Sequence, residues 1–70
     1  MKFRTITKYD DNGRTILHHD EFNKFPQALH CAKEECQWES VIESIVVCTK
    51  TNEILWEGTG DFQFAREVGK

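Results

Sequence analysis

Proline occurs once and glycine four times in these 70 residues, and no apolar run approaches the roughly 20 residues that a bilayer-spanning helix needs. A membrane helix is therefore excluded, and so is a low-complexity linker. Cysteine occurs three times, at Cys31, Cys36 and Cys48. An odd count does not suit a fully stapled secreted scaffold. Cationic charge is also short: nine Lys and Arg stand against twelve Asp and Glu, for a formal net charge of −3. Nucleic-acid-binding domains generally carry a basic surface, so direct nucleic-acid binding is disfavoured. Glycine-rich phosphate loops, G-x-S-x-G and H-E-x-x-H are missing as well, which removes the common signatures of nucleotide, acyl-transfer and metalloprotease chemistry.

What is present is a patterned chain with 39% hydrophobic residues, enough to place it outside the disordered class. Its length fits one domain, residues 1–70. Domains of this size bury little more than about 60% of their unfolded surface, so a disulfide, a metal or a partner commonly adds stability. Met1 leads directly into Lys2, Arg4 and polar residues, with no apolar leader, and the expected setting is a reducing cytoplasm with the cysteines as small buried hydrophobes.

The pattern changes along the chain. Residues 2–9 alternate, with Phe3, Thr5, Thr7 and Tyr9 on one face and Lys2, Arg4, Ile6 and Lys8 on the other, which predicts a strand. Asp10-Asp11-Asn12-Gly13 is a turn signal, and residues 14–19 return as the second strand of a hairpin. Residues 20–24 read as a linker. A helix follows, capped by either Asn23 or Phe25, carrying Pro26 in its first turn and ending near Gln37. Ala28, Leu29, Ala32 and Cys36 form its buried stripe, while His30, Lys33, Glu34 and Gln37 face outward. Residues 41–49 are rich in β-branched side chains and predict a central strand; residues 54–57 pair back on it. Residues 61–65 alternate and form a short edge strand, and residues 66–70 form a flexible tail. The expected architecture is α+β, β-β-α-β-β with a last edge strand: one helix packed on a four- or five-stranded antiparallel sheet.

Four kinds of chemistry can be weighed on these residues. Zinc would need ligands from His18, His19, His30 and the three cysteines, but Cys31 and Cys36 are spaced too far apart for a zinc knuckle. His18 and His19, adjacent on a strand, point to opposite faces. No metal ligand and no cofactor are assigned. His30 and Cys31, the nearest approach to a thiolate pair, do not face each other on a helix, so no catalytic residue is assigned and the chain is read as a non-enzyme. Residues 1–19 net +2 and could touch phosphate, whereas residues 20–43 net −4. The last reading is protein binding. Trp38 lies just past the helix among Glu34, Glu35, Gln37, Glu39 and Glu43, which resembles an aromatic anchor inside a polar rim. The candidate contact residues are Trp38, Gln37, Glu34, Glu35, His30 and Glu39.

The segment Phe25-x-Gln27-Ala28-x3-Ala32, followed by Trp38, the Val41–Thr49 strand and a hairpin to Trp56, resembles small phage-encoded anti-CRISPR proteins of the type I-F inhibitor class. The resemblance covers residues 22–56. It implies a helix on an antiparallel sheet and a protein that binds the backbone subunits of a CRISPR surveillance complex in the host cytoplasm, blocking its engagement of DNA. Where that family carries basic helix residues, this chain has Leu29, His30 and Glu34. The alternative expectation is a homo-oligomeric accessory domain, a homodimer paired edge to edge through Phe62 and Phe64.

Overall fold

The computed structural model describes residues 2–60 and 64–68. Strand β1 spans Phe3–Asp11, β2 Arg14–Phe22, helix α1 Phe25–Glu35, β3 Val41–Cys48, β4 Glu53–Thr59 and β5 Ala65–Glu67. The strands form one sheet in the order β2-β1-β3-β4-β5, with every neighbouring pair antiparallel. The α+β architecture expected from the sequence is the one observed. None of the described helices is long and apolar enough to cross a membrane.

The first hairpin closes at Asn12 and Gly13, whose φ angles of 52° and 85° both lie in the left-handed region. Two such residues make the tight turn that matches the twist of antiparallel strands. Because the turn needs only these two residues, Asp10 and Asp11 belong to β1, paired with Thr15 and Arg14. At its other end the hairpin is also longer than the pattern implied. Asp20, Glu21 and Phe22, read as linker, pair with Thr5, Arg4 and Phe3. An ion pair between Arg4 and Glu21 at 2.7 Å holds that extension, and the guanidinium keeps the Glu21 carboxyl below its ordinary value near 4.5.

β2 and β3 lie on opposite sides of β1, so the connection between them passes over β1 and carries α1 onto that face. The helix begins at Phe25 with Lys24 as its N-cap and no side-chain cap bond. Neither Asn23 nor Phe25 caps it. Phe25 instead enters the first turn ahead of Pro26, where its ring meets Phe3 edge-on at 5.8 Å. That contact offsets the backbone restriction which proline places on its predecessor. The helix ends at Glu35 with Cys36 as C-cap, two residues before Gln37.

Ala28, Ala32 and Cys36 are fully buried and pack with Val46 and Trp56; Phe3, Phe22, Phe25 and Leu29 close the edges of this core. Small helix residues let α1 approach the sheet closely, and the Trp56 indole fills the remaining space beside it. Gly58, two residues on and on the same face, lies against that ring: a Cβ there would sit 2.9 Å from Trp56 Cζ2 and closer still to Cη2. On the sheet face away from α1, Ile6 pairs with Ile45, flanked by ion pairs Lys8–Glu43 at 3.2 Å and Arg66–Glu57 at 2.7 Å.

The fifth strand is displaced from its expected place. Phe64 lies at a bend, its N–H bonded to Thr59 Oγ1 and its carbonyl to the Thr59 N–H. The strand starts at Ala65 and includes Arg66 and Glu67, assigned to the tail by sequence. Cross-strand partners explain this: Arg66 lies opposite Glu57 and ion-pairs with it. Residues 61–63, including Phe62, and residues 69–70 lie outside the described part.

Candidate functional site

Chain reversal after α1 determines how Trp38 is displayed. Its N–H donates to Glu35 O at 3.0 Å and its carbonyl accepts from Val41 N–H. Ser40, with φ 73°, accepts from the Asp10 N–H at 2.8 Å, which ties the turn to the end of β1. On this pinned turn the Trp38 side chain is 54% exposed, while Trp56 is 3% exposed. Gln37 and Glu39 flank it, exposed as expected. His30 and Glu34 are also exposed, and His30 Nε2 lies 3.0 Å from Glu34 Oε1, so they form a pair on the helix surface one turn before Trp38. Five of the six candidate contact residues thus lie at the surface around the helix C-terminus.

Glu35 does not. It is 2% exposed and faces the sheet, so its assignment as a contact residue is corrected. The helical period explains it: Ala28, Ala32 and Glu35 are spaced by four and three residues, which places them on one face. A charged residue next to Glu34 reads as surface by composition, and here the period overrides that expectation.

The buried carboxyl organises a polar cluster between α1, β1, β2 and β3. Thr7 Oγ1 donates to Glu35 Oε1 at 2.9 Å. Thr7 also lies 2.9 Å from Ser44 Oγ. A hydroxyl has one proton to give, so Ser44 is the donor to Thr7. Cys31 Sγ donates to the same Glu35 oxygen at 3.5 Å. The other oxygen, Oε2, faces His18 Nε2 at 3.8 Å, and His18 Nε2 lies 2.9 Å from Asp20 Oδ2. The register explains the gathering: Thr7 pairs with His18 and with Ser44, and Thr5 with Asp20, all on the helix-facing side. Thr5 is fully buried, and its hydroxyl faces the Cys31 thiol, a weak acceptor, with no stronger hydrogen bond among the described residues.

Separation along the chain hid this cluster from sequence reading. His18, Asp20 and Glu35 come from an edge strand and a helix, and only the crossover joins them. The one local signal was the shared face of His18 and Asp20 at a two-residue spacing.

The thiols are free among the described residues. Burial, and next the nearby Glu35 charge, push the Cys31 thiol up to about 11. At pH 7 its thiolate fraction is about one in ten thousand, too little for a nucleophile. Burial raises Cys36 as well. Elsewhere, Glu43, Glu57, Gly58, Thr59 and Phe64 line a shallow cavity of about 170 Å³. Small-molecule sites usually span about 300–1,000 Å³.

No family model matches this chain, and no curated protein or solved structure does either. The surface around Trp38 and the cluster under the helix therefore carry the functional argument.

Proposed function

We propose that this chain is a non-enzymatic protein-binding inhibitor whose contact surface centres on Trp38. The carrying observation is the contrast between its two tryptophans: Trp56 fills the core, and Trp38 is held half exposed on a turn hydrogen-bonded on both sides. Large aromatics that are exposed and rigid lose little conformational entropy on binding and dominate interface energetics. Glu34, Gln37 and Glu39 supply a polar, acidic rim, suited to a basic surface on the partner. In its finer form the reading is a phage-encoded protein that occludes a host defence complex, such as a CRISPR surveillance complex. The resemblance in residues 22–56 and the acidic rim support it, since a surface that grips DNA is basic.

A direct assay tests both levels. The purified chain is titrated against a purified type I-F surveillance complex, with DNA binding by the complex as second readout. Wild type is expected to bind and to block DNA, and Trp38→Ala or Glu39→Ala to lose both while keeping its circular dichroism. A wild-type chain that leaves DNA binding untouched defeats the CRISPR target. Trp38→Ala with undiminished affinity defeats the surface.

A second reading is self-association. Its motive is the outer edge of β2, nine residues long with Leu17 exposed. Such an edge can pair with a copy of itself. The expected edge through Phe62 and Phe64 has less support, because Phe64 is in a bend rather than a strand. Light scattering at high micromolar concentration decides it: a monomer removes this reading.

A further inference from the structure

We propose that His18, Asp20 and Glu35 form a binding site for a divalent transition-metal ion of the borderline class, with zinc as its representative. One ligand atom from each residue, an imidazole nitrogen and two carboxyl oxygens, can be chosen so that all three lie within 4.8 Å of one another. Nε2 of His18 is 2.9 Å from Asp20 Oδ2 and 3.8 Å from Glu35 Oε2. Around a tetrahedral zinc with bonds of about 2.0–2.1 Å, ligand atoms stand about 3.3 Å apart. The observed separations straddle that value, so small side-chain rotations complete three corners of the tetrahedron.

A second observation bears on the same face. Thr5 Oγ1 is fully buried, directly across the strand pair from Asp20 on the same face, and its polar neighbour is the weakly accepting Cys31 thiol. Buried hydroxyls almost always find a partner. A metal-bound water, or an Asp20 carboxylate drawn inward onto a metal, would supply a stronger one. The Glu35 carboxyl is also prepared for coordination. Thr7 and Cys31 both hold Oε1, with Ser44 behind Thr7, and Oε2 is the oxygen turned toward His18. Outer-shell bonds of this kind orient ligating carboxylates. Two carboxylates and a neutral imidazole also balance the charge of a divalent ion, which relieves the cost of a buried anion. His18 and Asp20 are half exposed, so the outer side is open to ion entry and to a water in the remaining position.

Protein stripped of metal by EDTA and dialysed is titrated calorimetrically with zinc chloride, and in parallel with cobalt(II) followed by visible absorption. One equivalent per chain is expected, with an N/O-type cobalt spectrum lacking thiolate charge transfer. His18→Ala and Asp20→Asn alter half-exposed positions on an edge strand and are checked for folding by circular dichroism. Each should weaken binding on the order of 100-fold, since outer-shell changes alone cost about 10–100-fold. Lys8→Ala, on the sheet face away from α1, should leave affinity nearly unchanged. The proposal is overturned by no uptake in wild type, by uptake that both ligand variants retain, or by a thiolate-type cobalt spectrum.

Discussion

Replacing Glu35 by alanine should remove a large part of this domain's stability. Its carboxyl is buried under α1 and accepts from Thr7 and Cys31. Truncation deletes one buried methylene, worth about 0.8 kcal/mol. It also leaves one hydroxyl proton of the Thr7–Ser44 pair without an acceptor, at about 1–3 kcal/mol. Together these predict a loss of about 2–4 kcal/mol. At about 0.05–0.15 kcal/mol per residue, a domain of this length has about 3.5–10 kcal/mol in total. Glu35→Gln keeps shape and one acceptor and should cost about 1 kcal/mol. Glu35→Leu fills the space but not the acceptor role and should fall between them. Urea unfolding followed by fluorescence of Trp56, in EDTA to exclude metal, measures all three. The reasoning is refuted if alanine costs less than about 1 kcal/mol, or if alanine and glutamine are equivalent, because the hydrogen-bonding role then carries nothing.

Gly58→Ala should cost about 1–3 kcal/mol, because its methyl group forces the Trp56 ring to move; thermal unfolding and the near-ultraviolet dichroism of tryptophan report it. Gly13→Ala meets no neighbouring atom, so its penalty of about 1–2 kcal/mol comes from the positive φ of 85° alone, and Gly13→Asn should be milder in the same melt. Trp38→Ala should change stability by less than about 1 kcal/mol, in contrast to a severe loss for Trp56→Ala. Arg4 lowers the folded-state value of Glu21, so their pair stabilises above the ordinary carboxyl value and that contribution fades as pH falls through the lowered one. The stability gap between wild type and Arg4→Ala should therefore be small, shrink on acidification below about pH 4, and shrink in high salt; a gap that persists in acid would refute an electrostatic origin.

Local chemistry made most of this fold legible in the sequence. Asn12-Gly13 specified a tight hairpin because few other residue pairs accept two left-handed conformations. The β-branched run at residues 41–49 identified the central strand, and the spacing of Ala28, Ala32 and Cys36 identified the face of α1 that meets the sheet. Element ends were less legible. β2 runs to Phe22 and β5 starts at Ala65 because partners on neighbouring strands, Arg4 for Glu21 and Glu57 for Arg66, extend pairing past the point where local alternation fades.

The exposed candidates around Trp38 were readable because a helix end and the turn after it are contiguous in the chain. The cluster beneath the helix was not. Thr5, Thr7, His18, Asp20, Glu35 and Ser44 are spread over three strands and a helix, and each taken alone reads as an ordinary polar residue. The crossover of α1 over β1 brings them together, and strand register selects which side chains share that face. Periodicity along one element determines which side of that element is buried. Only the packing of one element on another decides that a glutamate on the buried side of α1 meets a histidine and an aspartate from the sheet's edge.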